Sequence, residues 1–340
     1  MALEIRPFDP AGAGERELVE YHTMRAAAVL VDWPEDPPLT YDSAIGRLQA
    51  PPLEDGVCRY WAGYLAGRLV GTAKLGLPDG SNAAVARVEV HVHPELRRQG
   101  IGTGLLRTVL GAVRESGRET VVGLPMKPEA AAASWAARHG FEVTQRMVMQ
   151  ALLVAATPAR MWEVQVAAGY RLADWSGATP EELVDSYAVA RQAIEDAPRG
   201  RSSFRATAWT AERVREADRE LAGNGVEQRV VVAVEQSTGA VVGTHVVHLL
   251  PYRREFGFVY DTSVVAAHRG HGLGRAMKAA MMRHLTVERP ELSRVLTSTA
   301  AVNTHMISVN HTLGYETVRM MELVEARTAD LEKRLADGRA

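Results

Sequence analysis

Two Gly-rich segments are the part of this sequence whose residue types and spacing best suit chemistry. They read Arg97-Arg98-Gln99-Gly100-Ile101-Gly102-Thr103 and Arg269-Gly270-His271-Gly272-Leu273-Gly274-Arg275. Glycines let a backbone approach a ligand closely and adopt positive φ. Where such a turn opens a helix, the N–H groups of the first helical turn and the helix dipole attract phosphate oxygens. Each segment is therefore a candidate site for a pyrophosphate-containing cofactor.

The spacing within these turns differs from that of two common phosphate loops. The sequence contains neither G-x-x-x-x-G-K-[ST], which marks a P-loop, nor G-x-G-x-x-G, which marks a dinucleotide-binding unit. Both turns also lie in the middle of a predicted domain rather than after its opening strand. The alternative is that the glycines only make a tight turn from strand to helix. An arginine at the same offset in both turns favours anion binding.

The two turns belong to an internal repeat that runs along the whole chain. Three further pairs of segments match in the same order: 17–20 with 182–185, 69–72 with 241–244, and 140–141 with 314–315. Because the offset stays between 165 and 174 residues, the matches indicate a duplication. The sequence therefore predicts two domains of similar fold, one at residues 1–156 and the other at residues 157–340.

Each copy is predicted to fold as a strand, helices and antiparallel strands, followed by strand, helix, strand, helix and strand. This order predicts an α/β (α+β) class, with a mixed, mostly antiparallel central sheet flanked by helices in each copy. The last strand of the first copy is expected at residues 147–154, and that of the second at 316–324. A connecting helix is expected at 158–168, and Thr210 is expected to cap a helix at 210–222.

The motif Arg-x-x-Gly-x-Gly between a strand and a helix resembles the acetyl-CoA signature of the GNAT superfamily of N-acyltransferases. The element order of both halves extends the resemblance to most of the chain, in a tandem form common in high-GC Gram-positive bacteria. The resemblance implies acetyl-CoA as the cofactor, with its pyrophosphate at the turns and its pantetheine arm paired with the preceding strand. The implied cofactor-binding residues are Val90, Val92, Arg97, Arg98, Gln99, Gly100, Gly102 and Thr103 in the first copy, and Thr262, Val264, Arg269, Gly270, His271, Gly272, Gly274, Arg275, Asn303 and Asn310 in the second.

Direct transfer of an acetyl group to an amine needs a base for the ammonium proton and an N–H group for the oxyanion. Glu89 and Asp261 are the candidate bases, because each lies eight residues before the arginine of its motif. An equally weighted alternative is that these carboxylates bind the positive charge of the acceptor. In this register the oxyanion donor is the N–H group of Val92 or Val264.

A tyrosine that often serves as the acid in this family is missing from both copies. Its position, four residues before the Gly-aromatic pair, holds Ala136 in the first copy and Asn310 in the second. The second copy retains Asp261, Asn303 and Asn310, and is therefore the expected active centre. The more typical turn of the first copy supports the opposite assignment. The missing tyrosines favour a third possibility, a non-catalytic acyl-CoA-binding or structural protein.

Composition and net charge argue against binding to nucleic acid or to acidic membranes. Hydrophobic residues make up 46% of the 340 residues and charged residues 24%, with a formal net charge of −2, which gives no basic surface for nucleic acid or membranes. The single cysteine and the lack of a long apolar run predict a cytoplasmic protein. His268 and His271 have no third ligand nearby, so no metal is expected. The expected partner is a small-molecule primary amine, and the expected assembly is a monomer or homodimer.

Overall fold

The computed structural model describes residues 2–337, which contain twelve strands and nine α-helices. The strands are β1 (Glu4–Pro7), β2 (Val57–Leu65), β3 (Arg68–Leu77), β4 (Val85–Val92), β5 (Thr120–Met126), β6 (Glu142–Leu153), β7 (Tyr170–Ser176), β8 (Glu227–Glu235), β9 (Val241–Leu250), β10 (Arg253–Val264), β11 (Arg294–Ala300) and β12 (Tyr315–Arg327). The helices are α1 (Glu15–Asp32), α2 (Tyr41–Gln49), α3 (Ile101–Glu115), α4 (Ala131–His139), α5 (Val184–Gln192), α6 (Ala211–Gly223), α7 (Leu273–Glu288), α8 (Thr304–Thr312) and α9 (Thr328–Ala336). None of these helices is both long and apolar enough to span a membrane.

The chain forms two compact units that do not coincide with two consecutive halves. The first unit comprises Met1–Arg146, Gly200–Arg205 and Met321–Ala340, and the second comprises Met147–Arg199 and Ala206–Met320. The chain therefore passes between the units within β6 and β12. The boundary between residues 156 and 157 describes where one repeat ends along the sequence, and it stays a prediction.

The sheet of the first unit has the strand order β1-β2-β3-β4-β5-β12. Neighbouring strands run antiparallel, except that β4 and β5 run parallel. The sheet of the second unit has the order β7-β8-β9-β10-β11-β6, with β10 and β11 as its one parallel pair. Both sheets are mixed, mostly antiparallel and flanked by helices, which confirms the predicted fold class.

The last strand of each repeat belongs to the unit formed mainly by the other repeat. Residues 147–153 of β6 pair antiparallel with β11 in the second unit. Residues 322–327 of β12 pair antiparallel with β5 in the first unit. Both strands lie where the sequence predicts them, but each was expected to close the sheet of its own repeat. The side-chain pattern of a strand selects a buried face and does not name the neighbouring strand.

Helices α3 and α7 position the two Gly-rich turns. Ile101 and Leu105 lie four residues apart in α3 and are buried in the core of the first unit. Leu273 and Met277 have the same spacing in α7 and are buried in the core of the second unit. Residues at this spacing lie on one face of a helix. Because that face is packed on the sheet, each helix begins at a fixed place beyond the preceding strand.

The segment between the repeats differs from its prediction. In place of a helix at residues 158–168 the structure has a short 3₁₀ turn, Ala159–Trp162. Trp162 is buried, and its indole N–H donates to the carbonyl of Leu313 at 3.1 Å within the second unit. This hydrogen bond and the burial of Trp162 fix the connecting segment, which forms no longer helix. By contrast, the helix after Thr210 is confirmed, because the Thr210 side chain accepts a hydrogen bond from the N–H of Arg213.

Candidate active site

Each Gly-rich turn leaves the first turn of its helix without a side-chain cap. Gly100 precedes α3 with a φ of 78°, and Gly272 precedes α7 with a φ of 70°. A Cβ atom added at either glycine would meet no atom within 4 Å, so the space beside both glycines is open. Open space, uncapped N–H groups and the positive end of a helix dipole suit a pyrophosphate. Both turns therefore fit the cofactor that the resemblance implies.

The two turns differ at the residue after the arginine. Arg98 has a φ of 63°, in the left-handed region that side chains with a Cβ atom avoid. Its equivalent is Gly270, with a φ of 83°, for which this conformation costs little. The side chains of Gln99, His271 and Arg275 are exposed around the turns. The same backbone shape is thus reached in one turn with strain and in the other without it.

The first residues of α3 are also in contact with α4. An ideal Cβ atom on Gly102 would lie 3.6 Å from the indole nitrogen of Trp135, so the helix approaches this ring closely. The hydroxyl of Thr103 is 3.1 Å from Nε2 of His139, whose ring packs on Trp135. Gly274, the equivalent of Gly102, has open space around it. The first unit therefore has an aromatic ring close to Gly102, whereas no atom lies within 4 Å of a Cβ atom added at Gly274.

The arginine of each motif is held by an aspartate. In the first unit the guanidinium of Arg97 forms two hydrogen bonds with Asp32, at 2.7 and 2.8 Å. In the second unit one terminal nitrogen of the Arg269 guanidinium donates a single hydrogen bond to Oδ2 of Asp196. In both units Nε also donates to the carbonyl five residues earlier, at 3.3 and 3.0 Å. These contacts fix the turn against the end of the strand, and phosphate binding by either arginine stays a prediction.

Strand β4 separates from β5 before it reaches the turn. Its pairing with β5 ends at Val88, whereas the strand continues to Val92. The N–H of His93 donates to the carbonyl of Val70 on the β3 side. Since N–H groups point alternately to the two sides of a strand, those of Val90 and Val92 point to the open side. The implied contacts with pantetheine and the oxyanion require this arrangement.

The second unit repeats the arrangement. Pairing of β10 with β11 ends at Phe258, whereas β10 continues to Val264. The N–H of Val265 donates to the carbonyl of Val242 on the β9 side. By the same alternation the N–H groups of Thr262 and Val264 point to the open side. Both units therefore offer a free strand edge beside an uncapped helix.

Glu89 and His91 extend from the other face of β4 into a pocket of the first unit. Alternation along the strand directs Val90 and Val92 towards the hydrophobic core, so Glu89 and His91 share the opposite face. Elements α1, α2, β2 and β3 contribute the rest of the lining, which includes Tyr21, Arg25, Arg47, Tyr60, Trp61 and Lys74. A carboxylate and an imidazole thus face a concave site next to the free strand edge.

The charge of Glu89 is stabilised by its neighbours. Lys74, directly opposite on β3, has its ammonium 3.3 Å from Oε1 of Glu89 and also pairs with Asp55. Burial alone would raise the pKa of Glu89, but contact with His91 and the positive charges of Lys74 and Arg47 outweigh it and hold the pKa well below its usual range. Glu89 is therefore ionised throughout the physiological range.

His91 is neutral in the same pocket. Its Nε2 atom lies 3.6 Å from Oε2 of Glu89. Burial and the positive charge of Arg25 lower the pKa of His91 to about 4, although the Glu89 carboxylate opposes the shift. An imidazole that is neutral at pH 7 can accept a proton, and an adjacent carboxylate stabilises the imidazolium that results. The pair can therefore accept a proton, and a pKa of about 4 makes the imidazole a weak base near pH 7.

Asp261, the counterpart of Glu89, is enclosed in the second unit. Its Oδ2 atom accepts two hydrogen bonds from the guanidinium of Arg191, at 3.2 and 2.8 Å. Both side chains are buried, and the guanidinium lies 3.5 Å from the ring centroid of Trp209. Asp261 is thus neutralised by a buried arginine of helix α5, which packs on this face of β10.

Asn303 and Asn310, which the resemblance assigns to cofactor binding, both form hydrogen bonds within the second unit. The side chain of Asn303 caps α8 by accepting a hydrogen bond from the N–H of Met306 at 3.2 Å. Asn310 is fully buried, and its amide donates to Gln150 at 2.8 Å. Ala136, its counterpart, is buried in the core of the first unit. Binding of cofactor by either asparagine stays a prediction.

Both repeats resemble a known protein family in sequence. The sequence model of the acetyltransferase (GNAT) family matches two regions, residues 22–141 and 192–315, which together exceed half of the chain. The chain belongs to the acetyltransferase (GNAT) family. The two matched regions, each containing one Gly-rich turn, make it a tandem GNAT protein and an N-acetyltransferase.

Several relatives share the tandem organisation or most of the length. A mycothiol acetyltransferase of Saccharomonospora viridis is 31% identical over 261 residues, 74% of this chain and 78% of the relative. A mycothiol acetyltransferase of Mycolicibacterium gilvum is 27% identical over 252 residues, 72% of this chain and 75% of that protein. A solved tandem GNAT protein from the clavulanic acid biosynthesis pathway aligns with a TM-score of 0.78 and 27% identity, over 96% of this chain and 99% of its own.

Sequence reasoning missed the cations around both carboxylates. Lys74 carried a usable signal, because it is the only charged side chain inside the otherwise apolar or small segment 69–77. Arg25 and Arg191 carried none, since an arginine in an amphipathic helix is ordinarily taken as solvent-exposed. Their roles depend on how the helices pack on the sheets, which periodicity does not specify.

Proposed function

We propose that this protein transfers the acetyl group of acetyl-CoA to a primary amine of a small molecule, and that its first unit is the active one. The observation that carries the proposal is that Glu89 and His91 face a pocket beside the free edge of β4. Membership of the GNAT family supports acetyl-CoA as donor. The relatives named mycothiol acetyltransferase support a small-molecule acceptor.

Sequence reasoning favoured the second unit, and the contacts of the two carboxylates now favour the first. The ion pair with Arg191 occupies Asp261, and Trp209 covers the guanidinium. To act as a base, Asp261 would have to leave a buried partner, which would strand a charge in the core. Glu89 is also paired, with Lys74, yet it lies in a pocket that an acceptor can enter.

The residues of the first unit have separate tasks in this proposal. The backbone of residues 100–103 holds the pyrophosphate, and the N–H groups of Val90 and Val92 hold the arm and the oxyanion. Acetyl-CoA supplies the thioester carbonyl that the amine attacks. Glu89 stays ionised and His91 stays neutral, so this pair can take the proton that the amine nitrogen loses once it has attacked the thioester carbonyl. A thiolate is a tolerable leaving group near neutral pH, so a tyrosine acid is dispensable.

The second unit suits a different role. Its turn and free strand edge retain the features for holding acetyl-CoA, whereas its carboxylate is enclosed. We therefore assign it cofactor binding without turnover, or a scaffolding role. Titration calorimetry with acetyl-CoA can measure this directly: two sites per chain support binding by both units, and one site supports a scaffold.

Release of the CoA thiol with a panel of amines tests the proposed function. We expect Glu89→Gln to lower kcat by about 100- to 10,000-fold, the usual contribution of a positioned base. Asp261→Leu combined with Arg191→Met removes the enclosed pair together, and we expect activity within a few-fold of the parent. Activity that survives Glu89→Gln but disappears in the double variant would place the reaction in the second unit. No thiol release with any amine would remove the enzyme assignment for these acceptors.

A further inference from the structure

We propose that the acceptor amine carries a carboxylate, and that Arg25 of helix α1 binds it. This inference rests on the proposed function of the first unit and names its substrate class. It would restrict the acceptors to amino acids and short peptides with a free carboxyl group. Neutral amines of the same size would be poor acceptors.

Helix α1 presents Arg25 to the pocket. Tyr21, Arg25 and Val29 are spaced four residues apart, so they lie on one face of the helix, and all three line the pocket. The charge of Arg25 acts on His91, which shares the pocket. Arg25 therefore lies near enough to the proposed base to hold one end of a small acceptor while its amine is at the other.

The charges in the pocket are unbalanced without a ligand. Among the described residues that line it, Glu89 is the one carboxylate; it is paired at 3.3 Å with Lys74, which also pairs with Asp55 outside the lining. Arg25 forms no ion pair within 4.0 Å with any carboxylate in residues 2–337, and it is only partly exposed. A partly buried guanidinium without an acidic partner is a site for an anion.

A carboxylate suits this pocket better than a phosphate does. The planar fork of arginine matches a carboxylate with two parallel hydrogen bonds. A phosphate carries close to two negative charges and would stand opposite the ionised Glu89 in the same pocket. The cations also favour the neutral form of the acceptor amine over its ammonium, which is the form that attacks a carbonyl. One arrangement thus serves both binding and deprotonation.

Matched acceptors test the inference. Amino acids and dipeptides are each paired with their C-terminal amide, and β-alanine is compared with β-alaninamide, ethanolamine and phosphoethanolamine. Rates of CoA thiol release give KM and kcat, and mass spectrometry confirms the N-acetyl product. We expect the carboxylate member of each pair to have a KM about 10- to 100-fold lower, the usual effect of one charge-assisted contact.

Variants assign the preference to Arg25. Arg25→Met should raise KM for carboxylates to the value for the amides and leave KM for the amides unchanged. Arg25→Lys should keep part of the preference, because it retains the charge without the fork. Arg16→Met, on the same helix with a side chain 86% exposed, is the matched control and should change neither value. Thermal unfolding of each variant confirms that it is folded.

Each other outcome overturns the inference. Equal KM values for carboxylates and amides, with turnover that still depends on Glu89, would remove the substrate class and leave the proposed function standing. A preference for phosphoethanolamine over β-alanine would assign the site to phosphate instead. A carboxylate preference that survives Arg25→Met would assign it to another residue. Absence of acetylation for every amine would remove both proposals together.

Discussion

Glu89 and Asp261 occupy equivalent positions on β4 and β10, yet different residues surround them. Glu89 contacts a lysine and a neutral histidine in a pocket, whereas Asp261 forms a buried ion pair with an arginine of helix α5. Lys74 has Val246 as its counterpart, and His91 has Ser263. Duplication thus preserved the carboxylate while its neighbours diverged, and the neighbours decide what each carboxylate can do.

Removing the charge of Asp261 alone should damage the second unit. We expect Asp261→Asn to lower the free energy of unfolding by about 3–5 kcal/mol, because Arg191 is left as an uncompensated buried cation. Urea unfolding followed by circular dichroism measures the change. The double replacement Asp261→Leu with Arg191→Met should restore most of the loss. A single variant as stable as the parent would mean that water reaches Arg191.

Lys278 is another ionisable side chain buried in the second unit, and it should make stability depend on pH. Burial lowers the pKa of Lys278 to about 7 from an ordinary value of 10.5, and its ammonium lies over the Tyr315 ring at 5.4 Å. Between these two pH values the unfolded chain binds a proton that the folded one does not, so stability rises with pH there. The penalty is complete below pH 7 and absent above about pH 10.5.

Lys278→Met should therefore stabilise the second unit most at low pH. We expect a gain of about 3–5 kcal/mol at pH 6, which shrinks as the pH rises towards 10. Urea unfolding at pH 6, 8 and 9.5 measures it, and Lys333→Met, at an exposed position of α9, is the control. A gain that is equal at every pH would reflect packing of the methionine rather than removal of a charge.

At the scale of elements, the strand–turn–helix unit is the part that both repeats share most closely. Each has a strand that leaves its parallel neighbour early, an arginine tied to an aspartate, and a glycine of positive φ before the helix. The residue after the arginine also needs positive φ, which Arg98 accepts with strain and Gly270 without it. This difference can be tested by substitution.

Gly270→Ala should destabilise the second unit by about 1 kcal/mol, because alanine strains the left-handed conformation of that residue. The added Cβ atom would meet nothing within 4 Å, so no steric cost of packing is involved. Gly274→Ala, inside α7 and also in open space, should instead stabilise it by about 0.5–1 kcal/mol. Thermal unfolding compares the two, and equal signs would show that φ at residue 270 does not control the turn.

Local patterns predicted the elements well and their partners poorly. The turns, the hairpin strands and the Thr210 cap follow from residues close together in sequence, so they could be predicted. The exchange of β6 and β12 could not, because either sheet offers an equivalent apolar face. Glu89 was found from its position before the turn, whereas its relation to Arg25 depends on the packing of α1. The enclosure of Asp261 by Arg191, 70 residues away, has the same origin.

At the scale of the whole molecule, each unit needs chain from both repeats. In the first unit, residues 322–327 of β12 pair with β5, and Leu331 and Leu335 of α9 are buried in its core. Glu325 also accepts hydrogen bonds from Ser202 and Ser203, in the segment at residues 200–205. The first unit is therefore complete only when three separate stretches of chain are present.

A fragment that ends at residue 156 should be unstable. It lacks β12 and α9, which leaves β5 unpaired on one side and exposes the apolar residues that α9 covers. A fusion in which a short Gly–Ser linker joins residue 146 to residue 321 supplies β12 and α9 but not residues 200–205, so it should regain part of the stability and unfold at a higher temperature than the fragment. Circular dichroism and thermal unfolding compare the two. A stable fragment of residues 1–156 would mean that its own last strand can replace β12.

The late arrival of β12 has a consequence for synthesis. Domains generally fold as they leave the ribosome, in order from the N-terminus. Here the chain must grow by another 175 residues, from 146 to 321, before the first unit can receive the strand that pairs with β5. At ~5–20 residues per second this takes roughly 9–35 s, during which β5 presents an open edge. The open edge of β5 is thus exposed to mispairing and to chaperones for about half of translation, and a premature stop before residue 321 would leave the first unit without the strand that pairs with β5.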